Sequence, residues 1–338
     1  MPMRRPVVLL FALLVAANVA AWLAALIVFR AHPVLLGTAL LAYSLGLRHA
    51  VDADHIAAID NVTRKLMAAG QRPIAAGFYF SLGHSSVVVA ASLAVAFGAS
   101  ELEARFAGLR DLGDVVGTAV SALFLFAVAA ANLAVLGAVW HALARVRRGG
   151  VLIEDELDRL LGRRGFLGRI FAPLFRLVST SRHMYPLGFL FGLGFDTATE
   201  IALLGIAAAE AAKGLPLASV LIFPALFAAG MALVDTADSV LMVGAYGWAF
   251  VEPQRRLYYN FAVTLVSVLV AVAVGGIEAL GLAVDKFGFA GPFWTMISGL
   301  NDHLGAIGYI IIAVLALMWL VAAVLWRLGG LTPRRGTP

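Results

Sequence analysis

The chain has 338 residues, of which 62% are hydrophobic and 13% charged, with a mean hydropathy of +0.94 and a net charge of +5. Soluble domains run at about 45–50% apolar and about 25% charged, so a water-soluble fold is excluded, and the basic balance points to loops at a membrane surface rather than to nucleic acid. There is no cysteine, which excludes disulfides, thiolate metal sites and cysteine nucleophiles.

A helix needs about 20 apolar residues to cross a bilayer. Eight stretches qualify, at 6–29, 33–59, 73–98, 115–141, 185–209, 217–248, 258–282 and 305–326, so the expected fold is an all-α integral membrane protein of eight spans. The start, "MPMRRPVVLLFALLVAANVAAWLAALIVF", imitates a signal peptide, but its apolar run exceeds the 7–15 residues of such a segment, and it reads as a retained helix. Nineteen of the 25 Lys and Arg residues fall at one set of span ends and five at the other, with Arg48 left inside. The positive-inside rule then puts both termini in the cytoplasm. The chain divides into 1–143 with four spans and the histidine motifs, a basic cytoplasmic loop over 144–184, 185–327 with four spans and the carboxylate motifs, and a cytoplasmic tail over 328–338. The loop "VLIEDELDRLLGRRGFLGRIFAPLFRLV" has apolar residues at helical spacing, which suits either a helix lying on the inner membrane surface or a solvated linker.

The first, fourth and eighth spans are free of charge apart from end histidines, as is the seventh up to Glu278, which reads as interfacial. The second, third, fifth and sixth are not. The second contains "RHAVDADHI", residues 48–56. At about 100° per residue, Arg48, His49, Asp52 and His55 share one face of a regular helix and Asp54 lies opposite; an unwound segment would let both aspartates converge. Arg48 and Asp52, spaced i, i+4, also suit a structural ion pair. The third span contributes His84 in "FSLGHSSVVV", where Gly83 allows close helix approach and Ser85 can orient the imidazole. The fifth contributes "LGFDTATEIAL", with Asp196, Thr197, Thr199 and Glu200. The sixth contributes "GMALVDTADSVLM", with Asp235, Thr236 and Asp238, while Met231 and Met242 on the same stripe read as packing.

An ionised carboxylate at the bilayer centre costs at least about 2.5–3.5 kcal/mol. Six carboxylates (Asp52, Asp54, Asp196, Glu200, Asp235, Asp238) and three histidines (His49, His55, His84) stand against one arginine. A single such group is often only a helix–helix hydrogen bond, but nine on four helices ask for a divalent cation to complete the charge balance. Mixed imidazole and carboxylate donors suit nickel, cobalt, zinc or manganese, whereas magnesium and calcium prefer all-oxygen sites and copper(I) sulfur. The second and fifth spans also share a glycine–apolar–polar-cluster layout and run in opposite directions, as an inverted repeat of spans 2–3 and 5–6 would.

"RHAVDADHI", with its His-x4-Asp-His core, resembles the signature of the nickel/cobalt transporter family, eight-helix permeases of bacterial and some fungal membranes. "FSLGHSSVV", "LGFDTATE" and "GMALVDTAD" look like that family's other three motifs in the same order. Residue by residue, the resemblance marks His49, Asp54, His55, His84, Asp196, Thr197, Glu200, Asp235 and Asp238. It implies uptake of Ni²⁺ or Co²⁺ as transported substrate across a prokaryotic inner membrane, with no permanent cofactor. Its emphasis on Asp54 favours a distorted second helix. A distant efflux group typically carries a histidine-rich loop, which is lacking here. No G-x4-G-K-[ST] loop occurs, so the chain is not itself an ATPase and no ATPase subunit is evident. Two rival readings use the same residues: an intramembrane metalloenzyme whose bound ion activates water, and a metal sensor without translocation.

Overall fold

The computed structural model describes residues 4–98, 115–130, 132–133, 136–137, 140, 144, 148, 178–194, 197–249 and 253–328. Every regular element among them is a helix: α1 (Arg4–Phe29), α2 (Pro33–His49), α3 (Ala53–Ala68), α4 (Ala76–Gly98), α5 (Val115–Ala130), α6 (Met184–Phe191), α7 (Ala198–Ala212), α8 (Ile222–Ala249), α9 (Pro253–Phe287), α10 (Pro292–Asp302) and α11 (Leu304–Leu328), with a 3₁₀ turn at Ser181–His183 and a short helical turn at Leu217–Val220. The amphipathic segment expected within 144–184 lies almost wholly outside the described residues.

Among the described residues, four helical stretches are long and apolar enough to cross a membrane: Arg5–Phe29, Ala76–Phe97, Leu217–Gly247 and Phe261–Phe287. The pairs α2–α3 and α10–α11 are each bent at a short break and bring the number to six if each counts as one span. The protein is therefore a helical, multi-pass membrane protein. Its outward faces are apolar, with Leu9, Leu13, Ile27, Leu241, Leu269 and Ile310 among many large exposed hydrophobic residues, as lipid contact requires.

Helix α8 is the hub. It packs against α1, α2, α3 and α4, so the sixth expected span touches both histidine-bearing segments. Asn18 of α1 is buried and donates to the Ala229 carbonyl of α8, which ties the first helix to the hub. Without a hydrophobic drive between helices in lipid, close packing depends on small residues at the contacts. Gly46 of α2 sits against the backbone of Phe227, and Gly77 of α4 against the backbone of Asp235 and Thr236, so near that a Cβ at either position would overlap main-chain atoms. Gly83 makes the same kind of contact with Tyr185 and Phe189 of α6. Bulk at Gly77 cannot be relieved by a side-chain rotation. Gly77→Val should cost at least about 3 kcal/mol, read as a lowered Tm in detergent, whereas Gly205→Ala, with no neighbouring atom within 4 Å, should shift stability by less than about 1 kcal/mol.

Candidate metal centre

The second span breaks where its ionisable residues begin. Helix α2 ends at His49, Val51 N–H turns back to the Arg48 carbonyl, and Asp52 is extended at φ −63° and ψ 147° before α3 starts. The axis bends by 50° across the break. The fifth span does the same: α6 ends at Phe191 and Thr197 is extended at φ −86° and ψ 138° before α7 begins. In both, three residues past the extended cap comes a site residue, His55 in "DADH" and Glu200 in "TATE". Asp and Thr usually cap a helix through their side chains. Here neither side chain makes a cap hydrogen bond, and both turn inward instead.

Three imidazoles meet between these breaks and α4. His49, His55 and His84 are all buried, their rings 4.6–4.9 Å apart centre to centre, and each presents a ring nitrogen within 4.8 Å of the others. His49 Nε2 lies 2.9 Å from His84 Nε2, which lies 2.9 Å from Glu200 Oε1. His49 Nε2 and Glu200 Oε1 are 4.0 Å apart. Three donor atoms therefore surround one point.

The outer atoms of His49 and Glu200 are held. His49 Nδ1 is 3.0 Å from Asp52 Oδ2 and 3.1 Å from Thr199 Oγ1. An Nδ1–H donated to Asp52 leaves the Nε2 lone pair facing inward, the arrangement by which carboxylates orient metal-binding histidines. Thr197 donates to Glu200 Oε2 at 2.9 Å. Asp235 Oδ1 stands 3.4 Å from His55 Nδ1, and the buried His55 Nε2 has no hydrogen-bond partner among the described residues. The C-terminal end of α2, with its partial negative charge, also faces this space.

The other sequence candidates divide. Asp235 and Thr236 are fully buried on α8, and Asp235 Oδ2, Thr236 Oγ1 and Ser85 Oγ have no hydrogen-bond partner among the described residues. Asp238 is buried one turn further along α8. Asp54 is half-buried in the first turn of α3. Asp196 lies outside them. The regular-helix option for 48–56 is corrected by the break, which leaves Asp52 in an extended conformation beside His49. The Arg48–Asp52 pair is corrected as well: Arg48 is exposed, and the Asp52 carboxylate is turned to His49. Met231 sits in the apolar core around Phe223 and Phe227, as packing residues do.

Glu278 is not interfacial. It is buried and accepts a hydrogen bond from Ser121 at 2.7 Å. Sequence reading also missed Asp60, Asn61 and Arg64, buried on α3 with Tyr246, Thr264 and Ser267. Their signal was present: Asp60, Asn61 and Arg64 share one helical face at i, i+1 and i+4, a polar stripe on a segment otherwise able to continue the span.

Fold and site together define a multi-pass helical membrane protein with a buried imidazole–carboxylate cluster held between broken helices. Residues 35–325 match the family model described as high-affinity nickel-transport protein, and the chain belongs to that family. It is 59% identical over 325 residues to a high-affinity nickel transport protein of Cupriavidus necator, covering 96% of this chain and 93% of the relative. It is 55% identical to the hydrogenase nickel incorporation protein HupN of Bradyrhizobium diazoefficiens, with 94% and 83% covered. The cobalt transport protein NhlF of Rhodococcus rhodochrous is 43% identical, with 84% and 81% covered. No solved structure matches the chain significantly.

Asp52→Asn should loosen the His49 ring and swap an acceptor for a partial donor. Nickel affinity of the purified protein, measured by titration calorimetry, should fall about 10–100-fold with the helical circular-dichroism signal unchanged.

Proposed function

We propose that the protein is a secondary transporter that imports Ni²⁺, Co²⁺ or both across the inner membrane of a prokaryotic cell. The observation that carries this reading is the convergence of His49 Nε2, His84 Nε2 and Glu200 Oε1 at 2.9 Å contacts inside the helix bundle. The mixed imidazole and carboxylate donors suit a borderline divalent ion such as Ni²⁺ or Co²⁺.

In this reading the ion binds to His49, His55, His84 and Glu200, with Asp235 orienting His55, Asp52 and Thr199 orienting His49, and Thr197 orienting Glu200. Asp54, Asp196 and Asp238 supply further negative charge along the path, and Ser85 and Thr236 polar lining. His84 Nε2 faces both a histidine and a carboxylate, so any proton shared there leaves as metal arrives, and binding releases protons. A membrane potential of about 100 mV is worth about 4.6 kcal/mol for a divalent ion, or roughly a thousandfold accumulation. That suffices for uptake without ATP, with proton coupling as an added drive.

Counting α5 and the broken α6–α7 pair as spans gives eight, with both termini cytoplasmic by the charge distribution. The division into two four-span halves, 1–143 and 185–327, joined by the basic loop 144–184 and followed by the tail 328–338, follows the same count. The matched breaks at Asp52 and Thr197 support an inverted repeat, and rocking of α2–α4 against α6–α8 about the cluster would give alternating access. The names of the relatives, nickel transport in one, nickel incorporation in another and cobalt transport in a third, favour transport over an intramembrane enzyme or a sensor.

Radionickel uptake into cells tests the reading. His49→Ala and His84→Ala should each reduce uptake at least 100-fold at limiting nickel, with both proteins still present in the membrane. Wild-type uptake in both variants would remove the site. Proteoliposomes separate the alternatives: a transporter accumulates nickel under an inside-negative potential, whereas an enzyme or sensor binds it without accumulation.

A further inference from the structure

His49, His55 and His84 are 1%, 0% and 2% exposed, so a hydrated cation reaches them only after something on one side moves. Two aromatic rings lie directly on the cluster. Phe227 of α8 is 5.4 Å from His49, centre to centre, and Phe80 of α4 meets His55 edge-on at 4.8 Å. Both phenylalanines are fully buried. Phe227 precedes Asp235 by eight residues, or about 12 Å along α8, and packs in one apolar cluster with Phe29, at the end of α1 away from Arg4 and Arg5. Phe80 precedes His84 by one turn of α4, on the side that leads back to Arg72. The basic residues mark the cytoplasmic side, so Phe227 lies outward of the cluster and Phe80 inward.

The two positions are built alike. Each phenylalanine belongs to a continuous span, and its main chain is packed against a glycine of an interrupted one. Gly46 of α2 lies on Phe227 and Gly188 of α6 on Phe80, so near that a Cβ at either glycine would overlap main-chain atoms. Gly46 is three residues before the end of α2 at His49, and Gly188 is three before the end of α6 at Phe191. The pairs α2–α8 and α4–α6 are the most extensive helix contacts among the described residues. Each ring is also backed by others: Phe29 stacks on Phe223 at 5.4 Å on the outer side, and Phe191 lies 5.3 Å from Phe80 on the inner side. A phenylalanine that only fills space has no reason to recur on both sides of the site, over a histidine and on a glycine of a broken span.

We propose that Phe227 and Phe80 are the outer and inner gates of the cation site, each opening when the interrupted helix packed on its main chain rocks against the continuous one. The proposal rests on the transport reading. A ring closes the path because an ion cannot pass an apolar constriction without giving up its water. Gly46 and Gly188 make contacts free of interlocking side chains, over which two helices can slide. Opening one gate exposes the histidines to one side while the other ring keeps the opposite side sealed.

The chain has no cysteine, so an introduced thiol is the only one in the protein. Thr199→Cys puts it beside the cluster, where Thr199 Oγ1 lies 3.1 Å from His49 Nδ1. A membrane-impermeant methanethiosulfonate is added to right-side-out or inverted vesicles carrying the full chain, and labelling is read on the purified protein. Phe227→Ala should speed labelling at least tenfold from the outer face alone, and Phe80→Ala at least tenfold from the cytoplasmic face alone. Equal acceleration from both faces, which a merely loosened core gives, overturns the proposal, as do the opposite sidedness and no acceleration. Where an alanine variant fails to fold, Phe227→Leu and Phe80→Leu keep the core apolar and should show the same sidedness at threefold or more; its absence overturns the proposal equally. The assay contains no nickel, so its outcome is separate from that of the transport reading, which fails on radionickel uptake that survives His49→Ala.

Discussion

Charge enclosed between apolar helices must be met by charge or by hydrogen bonds, because neither lipid nor packed side chains can solvate it. Every special feature of this fold follows from that constraint. The three imidazoles are buried side by side, and each lies beside a carboxylate: Asp52 for His49, Asp235 for His55 and Glu200 for His84. Even so, His55 Nε2, His84 Nδ1 and Asp235 Oδ2 have no hydrogen-bond partner among the described residues. A structural polar network would be expected to close its own hydrogen bonds. This one leaves those atoms open, as the proposed cation site would require.

The helix breaks are the second consequence. An unbroken helix distributes residues 48–56 around its axis and sends Asp54 away from His49. Ending α2 at His49 and restarting at Ala53 frees the Asp52 backbone and lets its side chain reach the ring three residues back. Broken backbone at membrane depth is tolerated only where protein covers it. Here Gly308 of α11 lies directly against the Val51 carbonyl, and Val51, Asp52 and Ala53 are all buried. The matching break before Thr197 places Glu200 on the far side of the same cluster. Two interrupted spans therefore build the site while two continuous ones, α4 and α8, hold it in place.

The tightness of that frame explains the glycines. At Gly46 and Gly77 the hub helix comes within main-chain contact of α2 and α4, three residues before His49 in the first case and against Asp235 in the second. A looser bundle would leave the donors too far apart to share an ion, and the 2.9 Å spacings depend on backbones that nearly touch.

Much of this was legible in the sequence. The apolar content dictated a helical membrane protein, the run "RHAVDADHI" and its three companions marked the candidate site, and their donor types pointed to a borderline divalent cation, because residue chemistry and local spacing are written along the chain. The partners were not. That Asp52 would meet His49 rather than Arg48, that Arg48 would face outward, and that Asp60 and Arg64 would be buried depended on where α2 breaks and which helices cover α3. Glu278 met Ser121 across 157 residues, a distance no local pattern spans. Sequence alone determined which groups must be neutralised; only the packing of α8 against its neighbours decided which group neutralises which, because pairing in a low-dielectric interior is set by ångström-scale proximity between segments remote in the chain.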